Sequence, residues 1–309
     1  MVKLYICSPD ENWIVDRFSS EWKEFNNLSY TNKILESDIV WIIAPWVWKK
    51  IPLDILEKKT VVATIHHIDQ EKFKSHEKND FFELDKYVDF YHSISLKTVE
   101  VLKSYTNKHI EFIPFWVNQH NFFPMERKTL KDEFKFEENL KLIGSFQRDT
   151  EGKSFFKKKP KLSKGPDQFL EIVKKLKENN ENILVILAGP RRGYLKKQLK
   201  LNNIKYRHFK DASIEGINKL YNILDLYIVA SRVEGGPAAI FECAASKTPI
   251  ISTEVGIANE ILHPDSIFDM DNFMDAKPNI DFAYENVKKY FINDGFLPFI
   301  KFFERVYEN

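Results

Sequence analysis

Two consecutive α/β domains, each a parallel sheet covered by helices on both faces, are what this sequence predicts. Three observations carry that expectation: short, near-continuous apolar runs, amphipathic stretches between them, and recurrence of the same alternation in the two parts of the chain. A strand wetted on one side alternates apolar and polar residues, whereas a strand buried on both faces reads as an unbroken run of Val, Ile and Leu. Helices between such runs supply the cover. The 309 residues exceed the usual size of one domain, and 43% of them are hydrophobic, enough for more than one core.

In the first part the strand candidates are Leu4–Cys7, Ile39–Ile43, Val61–Ile65, Phe90–Ile94 and Ile110–Ile113. Helical periodicity falls between several of them, as in WIVDRFSSEWKEF from Trp13 and LKTVEVLKSY from Leu96. The second series runs Leu140–Gly144, Ile183–Leu187, Tyr206–Phe209, Leu226–Val229 and Pro249–Ser252. Between the series lies IPFWVNQHNFFP, Ile113 to Pro124, bounded by prolines and followed by a charged stretch, which reads as the inter-domain connection. The expected division is residues 1–118, residues 119–290, and a helical segment 291–309 placed to pack back on the first domain. The lysine-rich stretch Lys153 to Lys164 reads as a solvated loop.

A formal net charge of +1 gives no overall field toward nucleic acid or acidic lipid, so small-molecule partners are expected and nucleic acid is not. The two cysteines, Cys7 and Cys243, sit far apart inside apolar runs and read as reduced core thiols of a cytoplasmic protein. The N-terminus has too short an apolar run for a signal peptide, and the longest uncharged stretch, Ile39 to Trp48, is too short to span a bilayer. The expectation is a soluble cytoplasmic protein, peripheral to a membrane at most. Trp46 and Trp48 beside Lys49 and Lys50 form a combination that can dock at a lipid interface, and one that can equally pack inside.

The stretch SRVEGGPAAIFECAASKTPIIS, Ser231 to Ser252, holds the chemistry. Glu234 and Glu242 stand eight positions apart, but 45 acidic residues give about six or seven such pairs by chance, so spacing alone is a weak signal. Context strengthens it. Leu226–Val229 reads as a buried strand, Gly235-Gly236 permits a tight turn, and Pro237 suits a first helical position. Free amides of Gly236, Ala238 and Ala239 then stand at the carboxyl end of a parallel strand, where open α/β sheets bind anionic ligands. Glu242, between Phe241 and Cys243 on an apolar helix, is expected to point into a cleft. The bland alternative makes Glu234 a helix-dipole partner and Glu242 a solvated residue. Two further strand-to-helix turns carry cations: LIGSFQRD presents Arg148 and LSKGPDQF puts Lys164 before a Gly-Pro helix start, while LAGPRRGYL sets Gly189, Pro190, Arg191 and Arg192 at the other. Taken with the Gly-Gly-Pro turn, they make three strand ends that fit a diphosphate better than a lone metal ion.

The ensemble resembles the retaining glycosyltransferases of family 4. EGGPAAIFE matches that family's Glu-x7-Glu motif, SKGPDQFLEIV its Lys-Gly helix start, and KTPIISTEVGIANEIL the strand and turn that follow. In the first domain TIHH, VDFYHSISLKTVEVL and IPFWVNQHNFFP are similar to its Thr-x-His strand end, its Asp-to-Ser strand and helix, and its inter-domain segment. The resemblance implies the GT-B fold, two Rossmann-like domains facing each other across a cleft. It also implies transfer of a sugar from a nucleoside diphosphate sugar to a glycan, lipid-linked or other acceptor with retention of configuration. On that reading Arg148, Lys164 and the amides of Gly236 and Ala238 answer the leaving diphosphate, with Gly189 and Arg191 also on the donor side. Glu242 holds the ribose, Glu234 the donor sugar, and His66 positions the reacting centre, with His67 a competitor. No cofactor is implied, and with the charge so answered and no Asp-x-Asp strand end, turnover is expected to be metal-independent. Departures are equally plain: CSPDENWIVDRF has no glycine where the family carries a glycine-rich loop, Phe115-Trp116 replaces Asn-Gly, and extra residues separate Arg148 from Lys164. A GT-B nucleotide-sugar epimerase and a non-catalytic nucleotide-sugar-binding subunit are the alternatives.

Overall fold

The computed structural model describes residues 2–11, 14–152, 159–179 and 182–308, so segment 153–158 of the lysine-rich stretch lies outside the described residues. The chain divides into two units, one made of residues 1–116 and 292–309, the other of residues 117–291.

The first unit is a five-stranded, fully parallel sheet: β1 (Leu4–Cys7), β2 (Ile39–Ile42), β3 (Thr60–Ile65), β4 (Phe90–Ser93) and β5 (His109–Phe112), in that spatial order. Its helices are α1 (Ile14–Phe25), α2 (Leu53–Leu56), α3 (Ser75–Asp85) and α4 (Leu96–Leu102). Strand residues alternate between two cores, as the pleat requires. Leu4, Ile6, Ile39, Trp41 and Val62 pack with Val15, Phe18 and Trp22 of α1, while Val40, Ile42, Val61, Ala63 and Tyr91 pack with Leu56, Phe81, Leu84 and Leu102. Placing α1 on the face opposite α2, α3 and α4 follows from a short excursion. After α1, Tyr30 forms a parallel bridge to Leu4, and Thr31 N donates to Leu4 O at 3.0 Å, before the chain crosses to β2. The chain thus visits the outer edge of β1 first, the route that the general preference for right-handed crossovers requires if helices are to lie on both faces.

The second unit begins with α5 (Arg127–Glu133) and holds six parallel strands: β6 (Lys141–Ser145), β7 (Ile183–Ala188), β8 (Tyr206–Phe209), β9 (Leu226–Val229), β10 (Ile250–Thr253) and β11 (Ile267–Phe268). Their order is β11-β10-β9-β6-β7-β8. The chain therefore runs outward from β6 to β8, returns to the other side of β6, and runs outward again. Helices α6 (Pro166–Glu178), α7 (Gly193–Leu201), α8 (Ile214–Ile223), α9 (Ala238–Ala245), α10 (Ala258–Ile261) and α11 (Ile280–Val287) complete it. All ten strands expected from the sequence are present, with ends shifted by a residue or so. The eleventh, β11, is two residues long and gave no apolar run to read.

A last helix, α12 (Leu297–Glu308), returns to the first unit. Its Phe299, Phe302 and Phe303 join Trp22, Trp41, Phe115 and Trp116 in one aromatic core, with Phe115 stacked on Phe299 at 5.8 Å and Trp116 edge-on to it at 5.3 Å. Trp116 Nε1 donates to the buried Glu21 carboxylate at 2.8 Å, so the polar atom of this large ring is satisfied. That packing is why aromatic residues stand at 115 and 116. Cys7 and Cys243 are free and buried, and burial pushes both thiols up, Cys7 to about 11, which keeps them protonated.

Candidate functional site

In the second unit the strand order reverses between β6 and β9, and in open α/β sheets ligands bind beyond the carboxyl ends of the strands at such a point. The segments leaving these two strands bring together four polar side chains. Lys164 Nζ pairs with Glu234 Oε1, which also accepts from Gln147 Nε2 at 3.2 Å and from the Ser231 hydroxyl at 3.3 Å. The lysine and glutamate side chains are only 14% and 9% exposed, so the pair sits largely out of water.

Glu234 is placed by a loop tied on both sides. Arg232 N and Val233 N donate to Ser163 O at 2.9 and 3.1 Å, and the Arg232 guanidinium binds the Asp167 carboxylate with both terminal nitrogens at 2.8 and 2.6 Å. On the other side Thr253 Oγ1 donates to Ser231 O at 2.6 Å, and Gly256, at φ +53°, lies so near the loop that a Cβ would stand 1.9 Å from Gly235 O. Lys164 ends a short 3₁₀ turn and precedes Gly165, whose left-handed φ of +56° lets α6 start with Pro166 at its first position. A Cβ on Gly165 would meet Ala230 O at 1.5 Å, so only glycine brings this helix start up to the end of β9.

At α9 the observed start differs by one residue from expectation. Pro237 is the N-cap, with extended backbone at φ −60° and ψ 110°, and the helix begins at Ala238. The missing amide hydrogen of proline is harmless at either position. Gly235 and Gly236 are not among the glycines at positive φ, and the tight left-handed position belongs to Gly256 across the loop. Glu242 is 6% exposed and accepts a hydrogen bond from Tyr221 Oη at 2.7 Å. Burial, with Glu242 adding to it, pushes the Tyr221 phenol well up, so it stays a donor.

The loop after β6 carries Gln147 and a half-buried Arg148. Beneath it lies a buried ion pair, Arg192 Nε to Asp149 Oδ2 at 3.2 Å, with Arg192 Nη2 donating to Ser145 O at 2.6 Å. Burial raises the Asp149 carboxyl and lowers the Arg192 guanidinium, each against the pair's mutual attraction. Of the two adjacent arginines, Arg191 is exposed at φ +56° and Arg192 faces inward. Gly189, at φ +76°, makes the turn before them. Gln147, Ser231, Asp149 and Tyr221 went unread in the sequence, since neutral or singly charged residues without motif spacing give no signal there.

In the first unit His66 follows β3. Its Nε2 faces Ile43 O at 2.8 Å, and its ring stacks on Phe115 at 5.8 Å. His67 is exposed. The segment after β1, where glycines are absent, is shaped by Asp16, whose carboxylate accepts from Asp10 N at 2.9 Å and Glu11 N at 2.8 Å, while Lys50 reaches Pro9 O at 3.0 Å. Of the residues that suggested a lipid contact, Trp48 is buried and its Nε1 faces Asp80, Lys49 pairs with the same carboxylate, and Trp46 is 50% exposed. Among the described residues no helix is long and apolar enough to cross a membrane.

Residues 143–291 match the family model of glycosyl transferases group 1. That segment holds the whole switch-point cluster and covers just under half of the chain. Over its full length the chain has the fold of GT-B glycosyltransferases. It superposes on sucrose-phosphate synthase of Thermosynechococcus elongatus with a TM-score of 0.71 at 12% identity, covering 98% of this chain and 81% of that one. With Anabaena HepE, solved in complex with UDP and glucose, the TM-score is 0.73 at 11% identity, covering 99% of each chain. A sequence relative, uncharacterized protein 356 of Sulfolobus islandicus rod-shaped virus 1, is 27% identical over 233 residues, which is 73% of this chain. The chain spans 61% of that relative's length.

Proposed function

We propose that this chain is a glycosyltransferase that moves a sugar from a nucleoside diphosphate sugar to a glycan, lipid-linked or other acceptor, with retention of anomeric configuration. The observation that carries the reading is the Lys164–Glu234 cluster at the strand-order reversal, inside the segment that matches glycosyl transferases group 1. Breaking the anomeric bond leaves negative charge on a diphosphate, and fixed cations and helix amides stabilise that charge as it develops. Lys164, Arg148 and the first-turn amides of α9 take this role. Glu234 holds the donor sugar, and Glu242, oriented by Tyr221, holds the ribose. Gly189 and Arg191 border the donor. For His66 the proposal is confined to its Nδ1 edge, because Nε2 faces Ile43 O. No cofactor and no metal ion are needed on this reading, since the protein's own charges meet the diphosphate.

A second reading, a nucleotide-sugar-binding subunit without transfer, draws on the Asp16-capped segment after β1, which replaces a glycine-rich loop. One experiment separates the two. The chain is incubated with UDP-, GDP- and ADP-sugars and a set of glycan and lipid acceptors, with and without a chelator. Nucleoside diphosphate released together with a new glycoside, undiminished by the chelator, is the expected outcome. Binding of a nucleotide sugar with no product from any acceptor favours the subunit, and activity that returns only with added magnesium or manganese refutes the metal-independent mechanism.

A further inference from the structure

The Lys164 ammonium cannot serve two anions equally. In the structure it is committed to Glu234, and both side chains lie largely out of water. An arriving diphosphate takes the lysine only if Glu234 gives it up, and a carboxylate left in so little solvent without its cation is strongly disfavoured. Two neutral donors already reach the same oxygen, Gln147 Nε2 at 3.2 Å and the Ser231 hydroxyl at 3.3 Å. The Gln147 amide has its Nε2 turned to Glu234, while the single proton of the Ser231 hydroxyl, which is 3.3 Å from Gln147 Oε1 as well, goes either to that oxygen or to Glu234. The backbone beneath is fixed as well: Phe146 N donates to Tyr227 Oη at 3.0 Å, and Ser145 O is held by Arg192.

We propose that Gln147 is a positioning residue for Glu234, receiving the carboxylate when a diphosphate draws Lys164 away, so that the lysine changes partner without abandoning a nearly buried charge. The inference rests on reading the switch-point cluster as a nucleoside diphosphate sugar site. It makes the resting ion pair a latch: Glu234 competes with the ligand for Lys164, and Gln147 lowers the cost of release. The glutamate then stays where the donor sugar will lie, held by neutral donors that do not cancel its charge.

Calorimetric titration of the full chain with UDP, GDP and ADP tests this without any sugar or turnover. Glu234→Gln, which keeps the shape and removes the competing charge, is expected to tighten nucleoside diphosphate binding. Gln147→Met, which keeps the length and removes the amide, is expected to weaken it roughly tenfold, the scale of one hydrogen bond to a charged group. In the Glu234→Gln background the Gln147→Met change is expected to have no effect, since no carboxylate remains to be caught. Equal losses from Gln147→Met in both backgrounds would mean a structural role and overturn the proposal. Unchanged or weaker binding by Glu234→Gln overturns it too, even if Gln147→Met fails to fold. A wild-type chain that binds none of the three diphosphates refutes the donor-site reading itself, an outcome distinct from either.

Discussion

Glu234 and Glu242 are held by different partners, and the difference sorts the effects of removing each. Glu242 is buried with its Oε2 on the Tyr221 hydroxyl, so Glu242→Ala strips a buried donor of its acceptor and, on the proposed function, also removes the contact to the ribose of the sugar donor. A destabilisation of about 1–3 kcal/mol is expected for the orphaned phenol. Donor KM should rise as well, because a contact present before and during reaction is uniform binding. Glu234→Ala should instead lower kcat, by about 2–4 kcal/mol in the barrier if the group acts on developing charge, while nucleoside diphosphate alone still binds. Denaturant midpoints and saturation kinetics on both variants decide the matter, and near-normal kinetics in both would remove the glutamates from the reaction. Glu234 and Lys164 stood out in the sequence because each lies at a strand-to-helix turn marked by glycine and proline, and Glu242 because it is an acid inside the otherwise apolar α9. The inward turn of Arg192 was not, since two adjacent arginines look alike until the left-handed backbone at Arg191 decides which one enters the core.

Among the elements, α12 carries more than its position in the chain suggests. Phe299 is fully buried and touches Trp41, His92, Phe115 and Trp116 within 4.9 to 5.8 Å of ring centroids. Phe299→Ala is expected to cost about 3–5 kcal/mol, the usual range for a large aromatic deleted from a core. The loss should appear in the thermal or urea unfolding of the first unit, with nucleoside diphosphate binding by the second unit retained. A shift shared equally by both units would contradict that division. The strands were readable in the sequence because burial on both faces leaves unbroken apolar runs, as in Val61–Ile65. Phe115 and Trp116 looked instead like a departure from a linker pattern, and their reason lies in α1 and α12, both far from them along the chain.

For the molecule as a whole, acid is the expected weakness. His92 lies in a closed chain of hydrogen bonds: Trp41 Nε1 donates to Thr64 Oγ1 at 2.8 Å, the Thr64 hydroxyl donates to His92 Nδ1 at 2.9 Å, and His92 Nε2 donates to Ile113 O at 2.7 Å. Burial pushes this imidazole down to about 3, against the opposing pull of Ile113 O, whereas in the unfolded chain it titrates near 6.5. Between those values the unfolded state binds a proton that the folded state refuses, so stability falls as pH drops below about 6.5, by at most about 1.4 kcal/mol per unit from this group. Asp149, raised by burial, works in the opposite sense. Urea midpoints from pH 7 to 4 should fall more steeply for the wild type than for His92→Gln, and parallel slopes would exonerate the histidine. The second unit is inserted within the first, between Trp116 and Ile292, and this sets an order of birth. A ribosome that has finished the first five strands must make the whole of the second unit before α12 emerges, a delay on the order of ten to forty seconds at usual rates of synthesis. Through that interval Trp22, Trp41 and Trp116 wait without their cover, so the nascent first unit should be a chaperone client, and the inserted unit the first to stand on its own.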